Sequence, residues 1–122
     1  MAATSVSTIK KAQKESLFFR KISQLFAQTA LDDTRLQEVC INRVSLSRDK
    51  GVCTVYFYTA EGEARFQELL PILILYKPSL RKALASSIKS RYTPELVFAF
   101  DKNFEKHCRL ENILEHIKTE EE

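Results

Sequence analysis

Apolar residues near the N-terminus recur with helical spacing. From about Val6 to Ala30 they fall on one side of a helical wheel, and lysines flank them. This spacing predicts an amphipathic helix. The residues of the apolar side are Phe18, Phe19, Ile22, Leu25, Phe26 and Thr29. The segment LDDTRL that follows is typical of a turn, because Asp and Thr side chains compete for backbone hydrogen bonds.

Two β-rich segments come next, QEVCINRVSLS and GVCTVYFYT. In the second, the apolar residues Cys53, Val55 and Phe57 alternate with more polar ones, which is the period of a strand with one buried face. The short connector RDKG predicts a tight hairpin between the two strands. In the first strand the alternation slips around Asn42 and Arg43, and this slip predicts a β-bulge.

The next stretch is helical by content but contains prolines. Pro71 removes a backbone donor and clashes with the preceding turn, so the sequence predicts a helix that kinks or starts late. Pro78 suits the first turn of a second helix. Pro94 disfavours helical backbone at Thr93 and is expected to end that helix.

The last elements are a strand and a helix. In ELVFAF, the residues Leu96, Phe98 and Phe100 are expected to point inward. CRLENILEHI predicts a short C-terminal helix with an apolar stripe of Leu110, Ile113, Leu114 and Ile117. Three strands with helices on one face predict a single α+β two-layer domain over residues 1–118, and residues 119–122 are expected to be a frayed acidic tail.

Charge is segregated along the 122 residues, although the net charge is only +3. The stretch from Lys77 to Thr93 contains no acid, and its cations are Lys77, Arg81, Lys82, Lys89 and Arg91. Such a one-signed helix face indicates binding to RNA phosphates, with an ordinary solvated helix face as the alternative. Arg48 and Lys50 in the hairpin turn are placed at the rim of the same surface, with an ordinary polar turn as the alternative, and Arg43 could extend it. Whether Lys10, Lys11 and Lys14 also contact RNA is left open.

The sequence gives weaker support to disulfides, metal or cofactor sites, nuclease activity and base stacking. Three cysteines without a disulfide spacing indicate free thiols in a reducing compartment, and the N-terminus lacks a signal-peptide core. Neither a metal site nor a cofactor site is expected, because the candidate ligands Cys40, Cys53, His107, Cys108 and His116 form no CxxC or HxxxH pair. Asp101 with Glu95 could serve a metal-dependent nuclease, but a helix or turn cap explains Asp101 more simply. Base stacking by Tyr56, Tyr58, Tyr92 and Phe98 is less favoured than a core role.

Several quoted segments together resemble the ribosome-binding factor A family. They are DDTRL, VSLSRDKGVCTVYF, SLRKALASSIKSRYTPELVFAFD and RLENIL, in the family's order and covering most of residues 17–117. The resemblance implies a KH-like fold of type II, ordered α-β-β-α-kink-α-β, without the GXXG loop of ordinary KH domains. The only glycines here are Gly51 and Gly62, in agreement. Tyr76, Lys77 and Pro78 stand where the family has an Ala-x-Gly kink.

The resemblance also implies a function. It is binding to the small ribosomal subunit through 16S ribosomal RNA, late in maturation and including the 5′ end, with importance in the cold. A monomeric, non-enzymatic cytoplasmic protein is therefore expected. The alternative is a protein–protein interaction module that docks through the apolar segment 69–76, LLPILILY. That segment is too short to span a membrane.

Overall fold

A computed structural model describes residues 6–88 and 93–121 of the chain. It has three α-helices, one short 3₁₀ helix and three strands, which confirms the α+β class. In chain order the elements are α1 (Val6–Asp32), the 3₁₀ helix (Thr34–Glu38), β1 (Cys40–Leu46), β2 (Val52–Tyr58), α2 (Glu63–Ser87), β3 (Glu95–Phe100) and α3 (Lys102–Glu121).

The three strands form one sheet in the order β1-β2-β3. β1 and β2 are antiparallel neighbours joined by the predicted hairpin, in which the Ser47 N–H donates to the Val52 carbonyl at 2.8 Å. β3 is parallel to β2, with Val52 opposite Glu95. A parallel neighbour needs a long crossover connection, and α2 supplies it. The turn and the start of β3 therefore lie at the same end of the sheet, called here the hairpin end.

The predicted bulge in β1 is confirmed. Ile41 pairs with Phe57 and Arg43 pairs with Tyr56, so Asn42 is the extra residue between them. The bulge restores the alternation, because Val44 and Leu46 beyond it again pair with the inward residues of β2.

One face of the sheet is covered by α1 and α2, and the core lies between them. Phe57 on the central strand is fully buried. Its ring meets those of Phe26 at 5.5 Å, Phe98 at 5.2 Å and Phe66 at 6.0 Å between centroids. The rings thus come from α1, α2, β2 and β3. The inward sets predicted for β2 and β3 are all buried.

The prediction of two helices separated at Pro78 is wrong, because α2 runs as one helix through both prolines. Pro71 and Pro78 lie seven residues apart, on the same side of the helix and away from its buried stripe. The other side is held in the core by four buried leucines, Leu69, Leu73, Leu80 and Leu84. Their burial offsets the backbone bonds that the prolines cannot make. The helix also ends earlier than expected, since Ile88 caps it and donates its N–H to the Leu84 carbonyl.

The predicted turn after α1 is the end of that helix followed by the 3₁₀ helix. Asp33 caps the 3₁₀ helix, accepting from the Arg35 backbone N–H at 3.1 Å. The Tyr76 hydroxyl donates to the same carboxylate at 2.8 Å, which ties the turn to α2. Hydrogen bonds from Arg35 and then Tyr76 hold the pKa of Asp33 far below its usual range.

The C-terminal helix is longer than predicted. α3 has 20 residues, and its expected stripe does not pack on the body of the protein: Leu110, Ile113 and Leu114 are 60%, 56% and 59% exposed. Ile117 lies outside the described side chains. Periodicity identifies the apolar side of a helix, but it does not show whether another element covers that side. Within residues 6–88 and 93–121, no helix is long and apolar enough to cross a membrane.

Asp101 anchors the start of α3, as the cap interpretation predicted. Its Oδ1 accepts from the Phe104 N–H at 3.1 Å. Its Oδ2 accepts from Asn42 Nδ2 at 2.8 Å and from Arg43 Nε at 3.0 Å. Asp101 is buried, and burial alone would raise its pKa, but the hydrogen bonds from Asn42, the Phe104 backbone and Arg43 outweigh it and leave the pKa lowered.

Replacing Phe57 by alanine should be severely destabilising. The substitution leaves a cavity at the meeting point of four elements, and we expect a loss of about 3–5 kcal/mol in the free energy of unfolding. Urea denaturation followed by circular dichroism measures it. Phe19→Ala is the control, because Phe19 is 37% exposed, and it should cost much less. Equal losses for the two variants would show that Phe57 is not the centre of the core.

The Asp101 network should make stability depend on pH in acid. A carboxyl whose pKa is lower in the folded state stabilises the fold above its unfolded pKa of about 3.9, and that stabilisation is lost as the pH falls through the folded pKa. At pH 7, Asp101→Asn should cost about 1–2 kcal/mol, since Asn can still cap the helix but has no charge to pair with Arg43. Denaturation at several pH values should show this difference shrinking from about pH 4 downward. A difference that stays constant to about pH 2, or that the control Asp32→Asn reproduces, would contradict it.

Candidate nucleic-acid interface

The hairpin turn presents two of the predicted RNA-binding cations. Asp49 shapes the turn by accepting from the Ser47 hydroxyl at 2.6 Å and from the Gly51 N–H at 3.0 Å. Lys50, rather than Gly51, takes the left-handed backbone conformation, with φ of 60°. Arg48 is exposed and Lys50 is half-buried. The turn therefore holds its cations on a short loop braced by internal hydrogen bonds.

The start of β3 joins this turn to the C-terminal part of α2. The Glu95 N–H donates to the Gly51 carbonyl at 2.9 Å, next to the turn. From the helix side, Arg81 donates through Nη2 to the Thr93 carbonyl at 3.2 Å and through Nε to the Pro94 carbonyl at 3.3 Å. The turn, the start of β3 and Arg81 thus form one continuous set of contacts. Arg81 has a structural role there that its charge alone did not reveal.

The other described cations of α2 lie on two sides of the helix. Lys77 stands with Nζ 5.3 Å from the centre of the Phe98 ring, a cation–π contact, beside a groove between α2 and β3. That groove has a volume of about 330 Å³ and is lined by Lys77, Pro78, Arg81, Glu95 and Leu96. Lys82 is exposed and, by its position on the helix, points away from the sheet. Arg81 and Lys82 are both exposed, and Arg81 is the one that contacts the start of β3. Lys89 and Arg91 lie outside the described residues.

The N-terminal part of α1 reaches the hairpin end as well. Glu15 accepts from the Leu46 N–H at 2.7 Å, so this carboxylate satisfies the outer edge of β1 near the turn. Lys10, Lys11 and Lys14 lie within the five residues before Glu15 on the same helix. Sequence reasoning missed Glu15, and its only signal was that it is a lone acid in a basic stretch.

Arg43 differs from the other predicted cations. It lies on the sheet face that α1 and α2 leave open, where its guanidinium carbon is 3.8 Å from the centre of the Tyr56 ring. It also forms an ion pair with Asp101 through Nε at 3.0 Å. Its charge is therefore partly balanced by Asp101 within the protein, although 46% of its side chain remains exposed.

Ion pairing separates the two ends of the molecule. Away from the hairpin end, Arg65 pairs with Glu38, Glu61 and Glu68, and Arg109 pairs with Glu105. Among the described residues, the hairpin-end cations make no salt bridge; they are Arg48, Lys50, Lys77, Arg81 and Lys82. Three described carboxylates also lie in this region: Asp49 within the turn, Glu95 beside the groove and Glu15 on α1. The excess charge at this end is positive and available to an anionic partner.

The structure does not bring together the residues of the alternative nuclease and metal sites among the residues it describes. Glu95 begins β3 and Asp101 follows its last residue, so about 20 Å of strand separates the two carboxylates of the nuclease hypothesis. In the part of the chain that the structure describes, no three side chains of metal-ligand type come together. Burial raises the pKa of the Cys53 thiol to about 12, which leaves it uncharged and unreactive at neutral pH.

The apolar segment 69–76 is mostly core. Leu69 and Leu73 are buried, whereas Ile74 and Leu75 are 47% and 75% exposed. Two adjacent exposed side chains do not make the continuous patch that the interaction-module hypothesis required.

Comparison with known proteins finds a matching family, relatives in sequence and solved structures of similar fold. The family model described as ribosome-binding factor A matches residues 10–114. Ribosome-binding factor A of Geotalea uraniireducens (strain Rf4) is 31% identical over 101 residues, covering 83% of this chain and 82% of the relative. The crystal structure of ribosome-binding factor A from Thermus thermophilus is 31% identical with a TM-score of 0.60, covering 72% of this chain and 92% of that one.

A second structural neighbour carries information about a complex. It is a homology model of Thermus thermophilus ribosome binding factor A, fitted into the cryo-EM map of a 30S complex of that protein. It is 30% identical to this chain, with a TM-score of 0.56, and the similarity covers 69% of this chain and 87% of that one. Sequence and fold agree over the same region, and the chain belongs to the ribosome-binding factor A family.

Proposed function

We propose that this chain binds the small ribosomal subunit through 16S ribosomal RNA and assists its late maturation. The observation that carries the proposal is the set of hairpin-end cations, brought together from the turn and α2 without salt-bridge partners in the described residues. Support also comes from the family, of which one structural neighbour was fitted into a map of its 30S complex.

The proposed mode of binding is contact with phosphates and with the shape of folded RNA. Arg48, Lys50 and Lys82 are cations on a braced turn and a long helix, suited to positioning rather than to reading base edges. Lys77 and Arg81 would contribute beside the α2–β3 groove, and Lys89 and Arg91 would extend the surface along the chain. Counterions released from the RNA would make the affinity fall steeply with salt.

The biological role follows the family. The chain would act as a non-enzymatic, monomeric assembly factor in the cytoplasm, needing no cofactor. It would stabilise one conformation of 16S RNA late in maturation, including the processing of the 5′ end, and its loss would matter most in the cold. A noncatalytic role agrees with the surroundings of Asp101. Both oxygens of its carboxylate accept hydrogen bonds, which cap α3 and hold Asn42 and Arg43.

Charge reversal at the hairpin end should abolish most of the salt-dependent binding. The test variant is Arg48→Glu with Lys82→Glu, because neither side chain has a hydrogen bond or salt bridge in the described structure, whereas Arg81 does. Co-sedimentation with purified small subunits over a salt series should give at least about tenfold weaker binding at low salt. The slope of log affinity against log salt should flatten by about 1 for each lost phosphate contact.

The control carries the same change in net charge on α3, as Lys102→Glu with Lys106→Glu, and thermal melts check that it folds without the exposed Lys102–Glu63 ion pair. It should bind nearly as the wild type does. The proposed interface is wrong if the hairpin-end variant binds like the wild type at every salt concentration. It is equally wrong if the control variant loses as much affinity.

Loss of the chain from its own cells should delay 5′-end processing of 16S RNA. Primer extension on total RNA should show precursor ends accumulating, more strongly after a shift to low temperature. A plasmid copy of the wild type should restore the mature end, and the Arg48→Glu/Lys82→Glu variant should not. Normal 5′ ends at both temperatures would contradict the maturation role without touching the binding result.

A further inference from the structure

The sheet has one face that α1 and α2 do not cover, called here the open face. On the central strand it presents Tyr56 and Tyr58, and on β3 it presents Val97, which is 41% exposed. Among the described side chains, α3 meets this face at one end, where the Phe104 ring meets Tyr58 edge-on at 4.8 Å between centroids. Tyr56 lies further toward the hairpin end, and Arg43 from β1 covers one side of its ring.

The Arg43 side chain is held in place by a buried carboxylate and an aromatic ring. The bulge sets two consecutive residues of β1 toward the same carboxylate, since Asn42 and Arg43 both donate to Asp101 Oδ2. Asp101 is itself fixed by burial and by its bond to the Phe104 N–H. The guanidinium is therefore clamped at Nε by a buried carboxylate and supported underneath by an aromatic ring.

This arrangement leaves part of a planar cation exposed. A guanidinium is planar, and its central carbon lies 3.8 Å from the centre of the Tyr56 ring. The side chain nevertheless remains 46% exposed. Planar guanidinium and aromatic groups are the surfaces on which proteins stack unpaired nucleobases. Because Arg43 is already immobilised, a base that stacks on it would not have to order the side chain first.

We propose that the Arg43–Tyr56 pair is a stacking site for one unpaired RNA base. The inference rests on the proposed function, since it takes RNA as the partner. β1 leads from Arg43 into the hairpin turn, and Arg48 lies five residues on, about 16 Å away along an extended chain. A strand of RNA whose phosphates lie against the hairpin end therefore has a base within reach of the open face. Phosphate contacts and stacking are then two separable parts of the interaction.

The test compares RNA with and without bases. The probes are an adenosine octaribonucleotide and an octamer of the same ribose-phosphate backbone without bases, each labelled with a fluorophore and titrated at about 50 mM salt. The wild type should bind the adenosine octamer about 5- to 100-fold more tightly, as expected for one stacked base. Arg43→Lys keeps the charge but has no planar group, and its preference should fall below about threefold. Its affinity for the abasic octamer should stay close to that of the wild type.

Two further variants separate stacking from stability. Tyr56→Leu keeps Arg43 and Asp101 but removes the ring beneath the guanidinium, and it should also lower the preference. Arg35→Lys is the control, because Arg35 likewise pairs with a carboxylate, Asp33, on another part of the molecule. It should retain the wild-type preference. Thermal melts confirm that each variant is folded under the titration conditions.

Three results would overturn the stacking site. They are equal binding of the two octamers by the wild type, an unchanged preference in folded Arg43→Lys, or the same loss in Arg35→Lys. None of them decides the proposed function, which depends on small-subunit binding by the hairpin-end cations. Conversely, a wild-type preference for bases that survives in the Arg48→Glu/Lys82→Glu variant would support the stacking site independently.

Discussion

The pairing of β3 in parallel with β2 is the constraint on which the rest of this structure depends. It places Glu95 opposite Val52, and the Glu95 N–H donates to the Gly51 carbonyl. The start of β3 is thereby set beside the hairpin turn, although the whole of α2 separates them along the chain. α2 must span the sheet in the opposite direction to make this connection, and its C-terminal part arrives at the same end.

This arrangement also places unpaired cations at one end of the described structure and ion-paired ones elsewhere. At the hairpin end, cations from the turn and from α2 meet with few acids, and Arg81 serves both as a cation and as the link between α2 and Thr93–Pro94. Elsewhere Arg65 is surrounded by three carboxylates, so its charge is neutralised within the protein. A molecule whose net charge is only +3 thus has one basic end.

The sheet could be predicted well from the sequence and the helices less well. Strict alternation in β2 and β3 identified their inward residues, and its interruption near Arg43 located the bulge, because a period of two leaves little freedom in a half-buried strand. Proline was a poorer guide: Pro71 and Pro78 forbid local bonds, but whether the helix continues depends on buried leucines on its other side. The period also identified the apolar stripe of α3 but not its exposure, since burial belongs to the tertiary structure.

The candidate site was predictable in composition but not in arrangement. An acid-free stretch from Lys77 to Thr93 marked the basic region. It did not reveal that Arg81 holds the start of β3, or that Arg43 is clamped between Asp101 and Tyr56. Those roles arise from residues up to 59 positions apart, as between Asn42 and Asp101, and no local pattern encodes such contacts.

We propose that the hairpin end is the face that meets the small ribosomal subunit. Hydrogen–deuterium exchange of the chain, alone and bound to small subunits, tests it most directly. We predict added protection in peptides that contain the turn at 47–51 and the helix at 77–82, with little change at 61–68. Protection confined to 61–68, with the turn exchanging as in the free protein, would contradict it.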